Sequence, residues 1–158
     1  MIVIADSGST KADWKFVDSD KVHTLHSIGF NPVFHDSDFI ERELRQALGD
    51  LVAGDQPTAV YFYGAGCWDS KRKAPIVDAL KSVFPQAAIQ VHHDLLGAAR
   101  ASCGQEAGIA CILGTGSNSC LFDGRQIIDQ VTNLGYLLGD EGSGTHLGKQ
   151  LIQHYFYR

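Results

Sequence analysis

The sequence predicts an α/β fold, a mixed sheet with flanking helices followed by the start of a second, similar lobe. Three observations predict it. Three strand patterns open the chain with only short polar turns between them, helix and strand patterns then alternate as far as Cys103, and a strand-turn-strand pattern restarts after Gly104. The expected boundary is Gly104 to Gly108, giving one lobe over 1–104 and the start of another over 105–158.

In order along the chain, Met1–Ala5 is a short apolar run of strand type, and Ala12–Val17 alternates, with Ala12, Trp14 and Phe16 on one face. Val22–Ile28 is a weaker strand after the turn formers Asp18-Ser19-Asp20. Asp38 with Glu41 reads as a capping pair, and Ile40, Leu44, Ala47, Leu48 and Leu51 then follow helical spacing around Gly49. A strand Ala59–Tyr63 ends at Gly64-Ala65-Gly66, and a helix runs from about Pro75 to Phe84 before Pro85. The strand Ala88–His92 and the helix Leu95–Cys103 complete the first series.

The restart reads as strands Ile109–Leu113, Ser119–Phe122 and Gln126–Val131, with Asp123-Gly124 as the last turn. From Glu141 onward Leu147, Leu151, Ile152 and Tyr155 share a helical face. That helix runs into Tyr155-Phe156-Tyr157-Arg158 with no glycine, proline or polar tail, so the chain is expected to be cut inside its second lobe.

Composition narrows the function classes. With 18 acidic and 13 basic residues, a net charge of −5 and no basic tract, the chain lacks the electrostatic footprint of a nucleic-acid binder. No apolar run reaches the roughly 18 residues of a membrane span, and the N-terminus lacks a charged leader, so a cytoplasmic location is expected. Cys67, Cys103, Cys111 and Cys120 show no CxxC spacing and are expected to be buried reduced thiols.

Two strings carry phosphate chemistry. Asp6-Ser7-Gly8-Ser9-Thr10-Lys11 and Gly114-Thr115-Gly116-Ser117-Asn118 each put a glycine-containing turn of small polar residues between two strand patterns. Such turns present successive backbone N–H groups to an anion, and glycine removes the Cβ that would block its approach. Two of them facing across a cleft would clamp a polyphosphate. Neither string is a P-loop or a dinucleotide fingerprint. Asp6, at the end of the first strand, suits either a turn cap or a hydrated Mg2+ ion. Asp94, in His92-His93-Asp94, can cap the helix that follows, bind a metal, or accept a proton from an alcohol during phosphate transfer. Asp140 and Glu141 lie among glycines at the expected start of the last helix, where negative charge is favourable, and Asp140 could also accept from two vicinal sugar hydroxyls.

Together with Gly135-Tyr-Leu-Leu-Gly-Asp-Glu-Gly-Ser-Gly144, these strings resemble the BadF-type ATPases and N-acetylglucosamine kinases of the sugar kinase, heat-shock ATPase and actin superfamily. The resemblance spans residues 1 to about 150. It implies ribonuclease H-like, actin-like ATPase lobes that hold ATP and Mg2+ and pass the γ-phosphate to an amino sugar such as N-acetylglucosamine or glucosamine. By position, Asp6 resembles the magnesium-associated residue. Gly8, Ser9, Thr10 and Lys11 match the first phosphate hairpin, and Gly114, Thr115, Gly116 and Ser117 the second. Asp94 resembles the general base, and Asn31, Asn118 and Asp140 fall where the kinases hold the sugar. The family's adenine-binding segment would lie beyond Arg158, so these residues alone are expected to be inactive.

One departure stands out. Where those kinases tend to carry Trp-Gly-His or Trp-Gly-Tyr, this chain has Leu134-Gly135-Tyr136, so an aromatic wall of the sugar site is missing or rebuilt. The alternatives are an ATP-driven activator of a radical dehydratase, which would need clustered cysteines, and a non-catalytic single-lobe binding module. A small-molecule sugar is the expected partner, without nucleic acid or membrane, and with homodimerisation left open.

Overall fold

The computed structural model describes residues 1–49 and 56–157. They form two compact units, Met1–Asp94 and Leu95–Arg158, each built on its own sheet.

In the first unit β1 (Ile2–Ser7), β2 (Lys11–Asp18) and β3 (Lys21–Ile28) form an antiparallel meander, and β4 (Ala59–Gly64) and β5 (Ala88–His93) add in parallel on the other side of β1. The five-stranded order is β3-β2-β1-β4-β5. Alternation decides which face is buried: Val3 and Ala5, Ala12, Trp14 and Phe16, and Val60 and Phe62 are all within the core. Full burial of each large apolar side chain contributes about 1.5–3 kcal/mol, enough to outweigh the poor strand preference of Asp13 and Lys15. β3 gave a weak signal because it is an edge strand, mostly exposed, held by its register with β2.

Two helices pack on this core and against each other: α1 (Ser37–Leu48) through Ile40, Leu44 and Leu48, and α2 (Ser70–Val83) through Ile76, Ala79, Leu80 and Val83. The N-cap of α1 is Asp36, whose Oδ1 accepts from the Phe39 amide at 2.9 Å, rather than Asp38, which sits in the first turn. The α2 helix begins well before Pro75, because Asp69 caps it by accepting from the Arg72 amide at 2.9 Å. Proline is common at the first helical position, and that preference misplaced the start. Leu51, included in the α1 pattern, lies outside the described residues, as does Arg158.

The second unit holds α3 (Asp94–Cys103, shared at its first residue with the first unit) and an antiparallel meander of β6 (Gly108–Leu113), β7 (Ser117–Phe122) and β8 (Ile127–Gln130). Leu95 and Ala99 of α3 pack with Ala110, Cys120 and Phe122 of the strands. So α3, which the sequence grouped with the first series, packs with the second sheet, and Gly104 lies in the turn that follows it. A one-turn helix α4 (Gly135–Leu138) and the helix α5 (Gly144–Phe156) complete the described chain. Asp140 and Glu141 precede α5 instead of opening it; Ser143 is its N-cap and accepts from the His146 amide at 3.2 Å.

Cys67 and Cys120 are buried thiols as expected, but Cys103 is only partly covered and Cys111 is exposed. Cys111 falls on the uncovered side of β6, in phase with Ile109 and Leu113. Among the described residues, no helix is long and apolar enough to cross a membrane.

Candidate functional site

In the first unit, the register aligns Asp6 with Tyr63 and His92, and Ser7 with Gly64 and His93. The C-terminal ends of three parallel strands therefore lie level, at the end of an α/β sheet where ligands bind. Asp94 follows directly as the first residue of α3.

The β1–β2 turn, closed by the Gly8 amide donating to the Lys11 carbonyl at 3.0 Å, contains Ser9 and Thr10. Ser7, fully buried, supports it from behind by accepting from the Phe30 amide at 2.8 Å. Asn31 donates from Nδ2 to Ser9 Oγ at 3.3 Å, and its Oδ1 accepts from the Val33 amide at 3.0 Å. Gly29 lies so close that a Cβ there would come within 2.1 Å of the Gly8 carbonyl oxygen and 2.7 Å of the Thr10 nitrogen. Thus Asn31 braces the hairpin, a role its expected place at a sugar did not suggest. Lys11 opens β2, largely exposed, with its ammonium 3.8 Å from Asp13.

Asp6 is an exposed residue, yet its carboxyl is held above the usual aspartate range, first by partial loss of hydration and then by the carboxylates of Asp94 and Asp13, with Lys11 opposing. That raised value places Asp6 and Asp94 in one another's field. Beside them His93, its side chain 13% exposed, puts Nδ1 3.1 Å from Asp94 Oδ1 and stacks on Trp68 with ring centroids 3.7 Å apart. Burial pushes the imidazole below its ordinary value, Asp94 opposes that, and Lys73 adds to it. Burial also raises the neighbouring Cys67 thiol to about 12.

In the second unit, the β6–β7 turn is held by the first residues of α5 and by Asp140 before it. The Gly144 amide donates to the Gly114 carbonyl at 2.9 Å, and Thr145 donates to the Thr115 carbonyl through its amide at 3.2 Å and its hydroxyl at 2.8 Å. Asp140 Oδ1 accepts from the Ser117 amide at 2.9 Å and from Asn133 Nδ2 at 3.0 Å. Asp140 is also the one non-glycine residue at positive φ among the described residues, at 61°. This conformation costs on the order of 1 kcal/mol and persists only where surroundings enforce it. A cavity of about 370 Å³ opens here, lined by Ser117, Asn118, Asn133, Leu134, Asp140 and Glu141 among others.

The structure thus groups Asp6, Gly8, Ser9, Thr10, Asn31 and Asp94 in the first unit and Thr115, Gly116, Ser117, Asn118 and Asp140 in the second. Leu134 lines the cavity, whereas Tyr136 is 60% exposed. Sequence reasoning read Ser7 only as part of the first phosphate turn and gave no role to Trp68, His93 or Asn133. Ser7 and His93 were legible as neighbours of the two aspartates on strand ends, but nothing in the sequence marks Asn133 or Trp68.

No protein-family model and no curated protein matches the chain. Solved structures do match. A candidate N-acetylglucosamine kinase from Porphyromonas gingivalis is 47% identical, with a TM-score of 0.90, over 99% of this chain and 56% of its own. A candidate N-acetylglucosamine kinase from Chromobacterium violaceum (19% identity, TM-score 0.66, 96% of this chain and 55% of its own) shares the fold. So does MreB 5 of Spiroplasma citri, solved bound to AMPPNP (10% identity, TM-score 0.70, 99% of this chain and 57% of its own).

The fold is that of an actin-like ATPase, a mixed α/β sheet with flanking helices. Within that fold, the chain is similar to a candidate N-acetylglucosamine kinase, in line with the resemblance its three motifs carried, and it spans just over half the length of the structures named here.

Proposed function

We propose that this protein transfers the γ-phosphate of ATP to a hydroxyl of an amino sugar such as N-acetylglucosamine or glucosamine. The observation that carries the proposal is the 47% identity, over 99% of this chain, with a candidate N-acetylglucosamine kinase. The geometry supports it chemically: Asp6 lies level with His92, two residues before Asp94, at one end of the first sheet, beside the Gly8–Lys11 hairpin.

In this reading Asp94 accepts the hydroxyl proton as the oxygen attacks the γ-phosphorus. An O–P bond forms, the bond to the β-phosphate oxygen breaks, and ADP leaves. The turns at Gly8–Lys11 and Gly114–Ser117 hold phosphates, and Asn118 and Asp140 take sugar hydroxyls at the second-unit cavity. Asn31 acts by bracing Ser9 as much as by direct contact. Among the described residues no three His, Cys, Asp or Glu side chains gather as a metal cage, so Asp6, at a sheet end rich in carboxylates, would hold a Mg2+ ion that keeps most of its waters, which needs only one or two carboxylates. When bound, it would neutralise phosphate charge.

Asp94→Asn in the full-length protein, assayed with ATP and N-acetylglucosamine, should lower kcat by about 10²–10⁴-fold and leave KM nearly unchanged. Full turnover in that variant would refute the assignment of Asp94.

A further inference from the structure

The junction of β5 and α3 holds a second feature that the proposed chemistry has not used. His93 is fixed on two sides: the indole of Trp68 lies against one face of its ring, 3.7 Å between centroids at 28°, and its Nδ1 lies 3.1 Å from Asp94 Oδ1. A 180° turn about χ2 would leave the imidazole stacked on Trp68 but put Cδ2 where Nδ1 lies and lose the contact with Asp94, so the stack holds the plane and Asp94 selects the nitrogen. The ring is therefore presented to Asp94 with Nδ1 leading.

An ionised carboxylate has only acceptors, so the atom facing it must carry the hydrogen. The groups around the pair favour a neutral ring that donates from Nδ1. Lys73 of α2 repels a second positive charge, Trp68 and the buried surroundings remove water, and Asp94 favours the imidazolium. Asp6 of β1 adds negative charge near Asp94, and Cys67, also within the reach of Asp94 and Lys73, remains a neutral thiol up to about 12. The neutrality matters for chemistry. A carboxylate paired with a full cation is stabilised as the anion and becomes a poorer base, whereas a neutral N–H fixes its direction and leaves more of its basicity.

We propose that His93, clamped between Trp68 and Asp94, is a positioning residue that aims the proton-accepting carboxylate through an Nδ1–H donor. It rests on the reading of Asp94 as proton acceptor. Trp68, 46% exposed, is the backstop that holds the plane of the ring.

The test has two arms. On the chain itself, 15N NMR of the histidine rings at neutral pH should show His93 as the Nδ1–H tautomer, and both Trp68→Leu and Asp94→Ala should shift it towards the Nε2–H form. In the full-length protein, His93→Asn, which keeps an N–H near the Nδ1 position, should retain near wild-type kcat. His93→Phe should lose about 10- to 100-fold in kcat at unchanged KM and move the acidic limb of the pH profile. An Nε2–H tautomer in the wild type overturns the proposal, as does a His93→Phe variant with normal kcat while Asp94→Asn is inactive. If Asp94→Asn itself turns over normally, the reading beneath the proposal fails, and the tautomer result then reports only on the local contact.

Discussion

The helix after the first meander, α1, buries Ile40, Leu44 and Leu48, whereas α5, the long helix that follows the second meander and α4, buries none of its residues and leaves Leu147, Leu151, Ile152 and Tyr155 between 60% and 71% exposed. Both helices are amphipathic by spacing, and the sequence read both correctly as helices. The difference teaches what periodicity does and does not encode. A 3.6-residue repeat says which face seeks burial; the partner comes from elsewhere in the fold. For α1 the partners are α2 and the five-stranded sheet. The same asymmetry runs through the cores, since the first is built on Trp14, Phe16, Phe30, Phe62 and Phe84 and the second on Leu95, Ala99, Ala110, Cys120 and Phe122.

The largest expected effect sharpens that contrast. Trp14 is fully buried, its ring centroid 5.9 Å from that of Phe62 and 6.5 Å from that of Phe30, with its Nε1 donating to Ser27 Oγ at 2.9 Å. Trp14→Ala should cost about 3–5 kcal/mol in urea unfolding, a large part of a typical domain's stability. Leu151→Ala, at a residue 71% exposed, should change stability by less than about 0.5 kcal/mol. A comparable loss at Leu151 would show that α5 is covered in solution and break the comparison.

The two hairpins differ in a second way. A Cβ at Gly29 would press on backbone atoms of the first turn, the Gly8 carbonyl oxygen and the Thr10 and Lys11 nitrogens, so the turn itself must move. A Cβ at Gly116 would lie 2.7 Å from Asp140 Oδ1, a side-chain atom that can shift by giving up its bonds to Ser117 and Asn133. Gly29→Ala should therefore cost about 1–3 kcal/mol and Gly116→Ala about 1 kcal/mol. Hydrogen exchange should show the loss of protection at Phe30 for the first variant and at Ser117 for the second. The reverse ranking would mean that Asp140 is the stiffer support.

The same contrast explains what was legible. The strands and their order along the chain follow from alternation and turn residues, and the two glycine turns were visible because Gly8 and Gly116 sit among small polar residues between apolar runs. Their supports were not. Gly29 and Asn31 brace the first turn, and Asn133, Asp140 and Thr145 brace the second, all from positions distant in sequence, and a single sequence carries no record of such tertiary pairings. The α2 start was missed because a cap, Asp69, outranked a proline cue. Asp140 was picked out for its chemistry, yet its positive φ and its hold on Ser117 became visible only in three dimensions.

The smallest expected effect concerns the end of the first sheet. Asp6 has its carboxyl raised by lost hydration and by Asp94 and Asp13, so the folded chain binds its proton more tightly than the unfolded chain does. The sign follows from linkage: this contribution to stability is complete below the unfolded value and is lost as pH rises through the higher folded one. At neutral pH the ionised Asp6 therefore works against folding. Asp6→Asn should raise stability there, by no more than about 0.5 kcal/mol because an exposed group is screened by solvent. The gain should vanish in acid, where Asp6 is protonated in both states, and shrink in concentrated salt. Thermal melts of both proteins from acid to neutral pH would measure it, and equal stability throughout would separate Asp6 from the influence of Asp94. This cost falls at the sheet end where the proposed chemistry would place a cation. A residue that weakens the fold while favouring ligand binding is the pattern expected of a functional site.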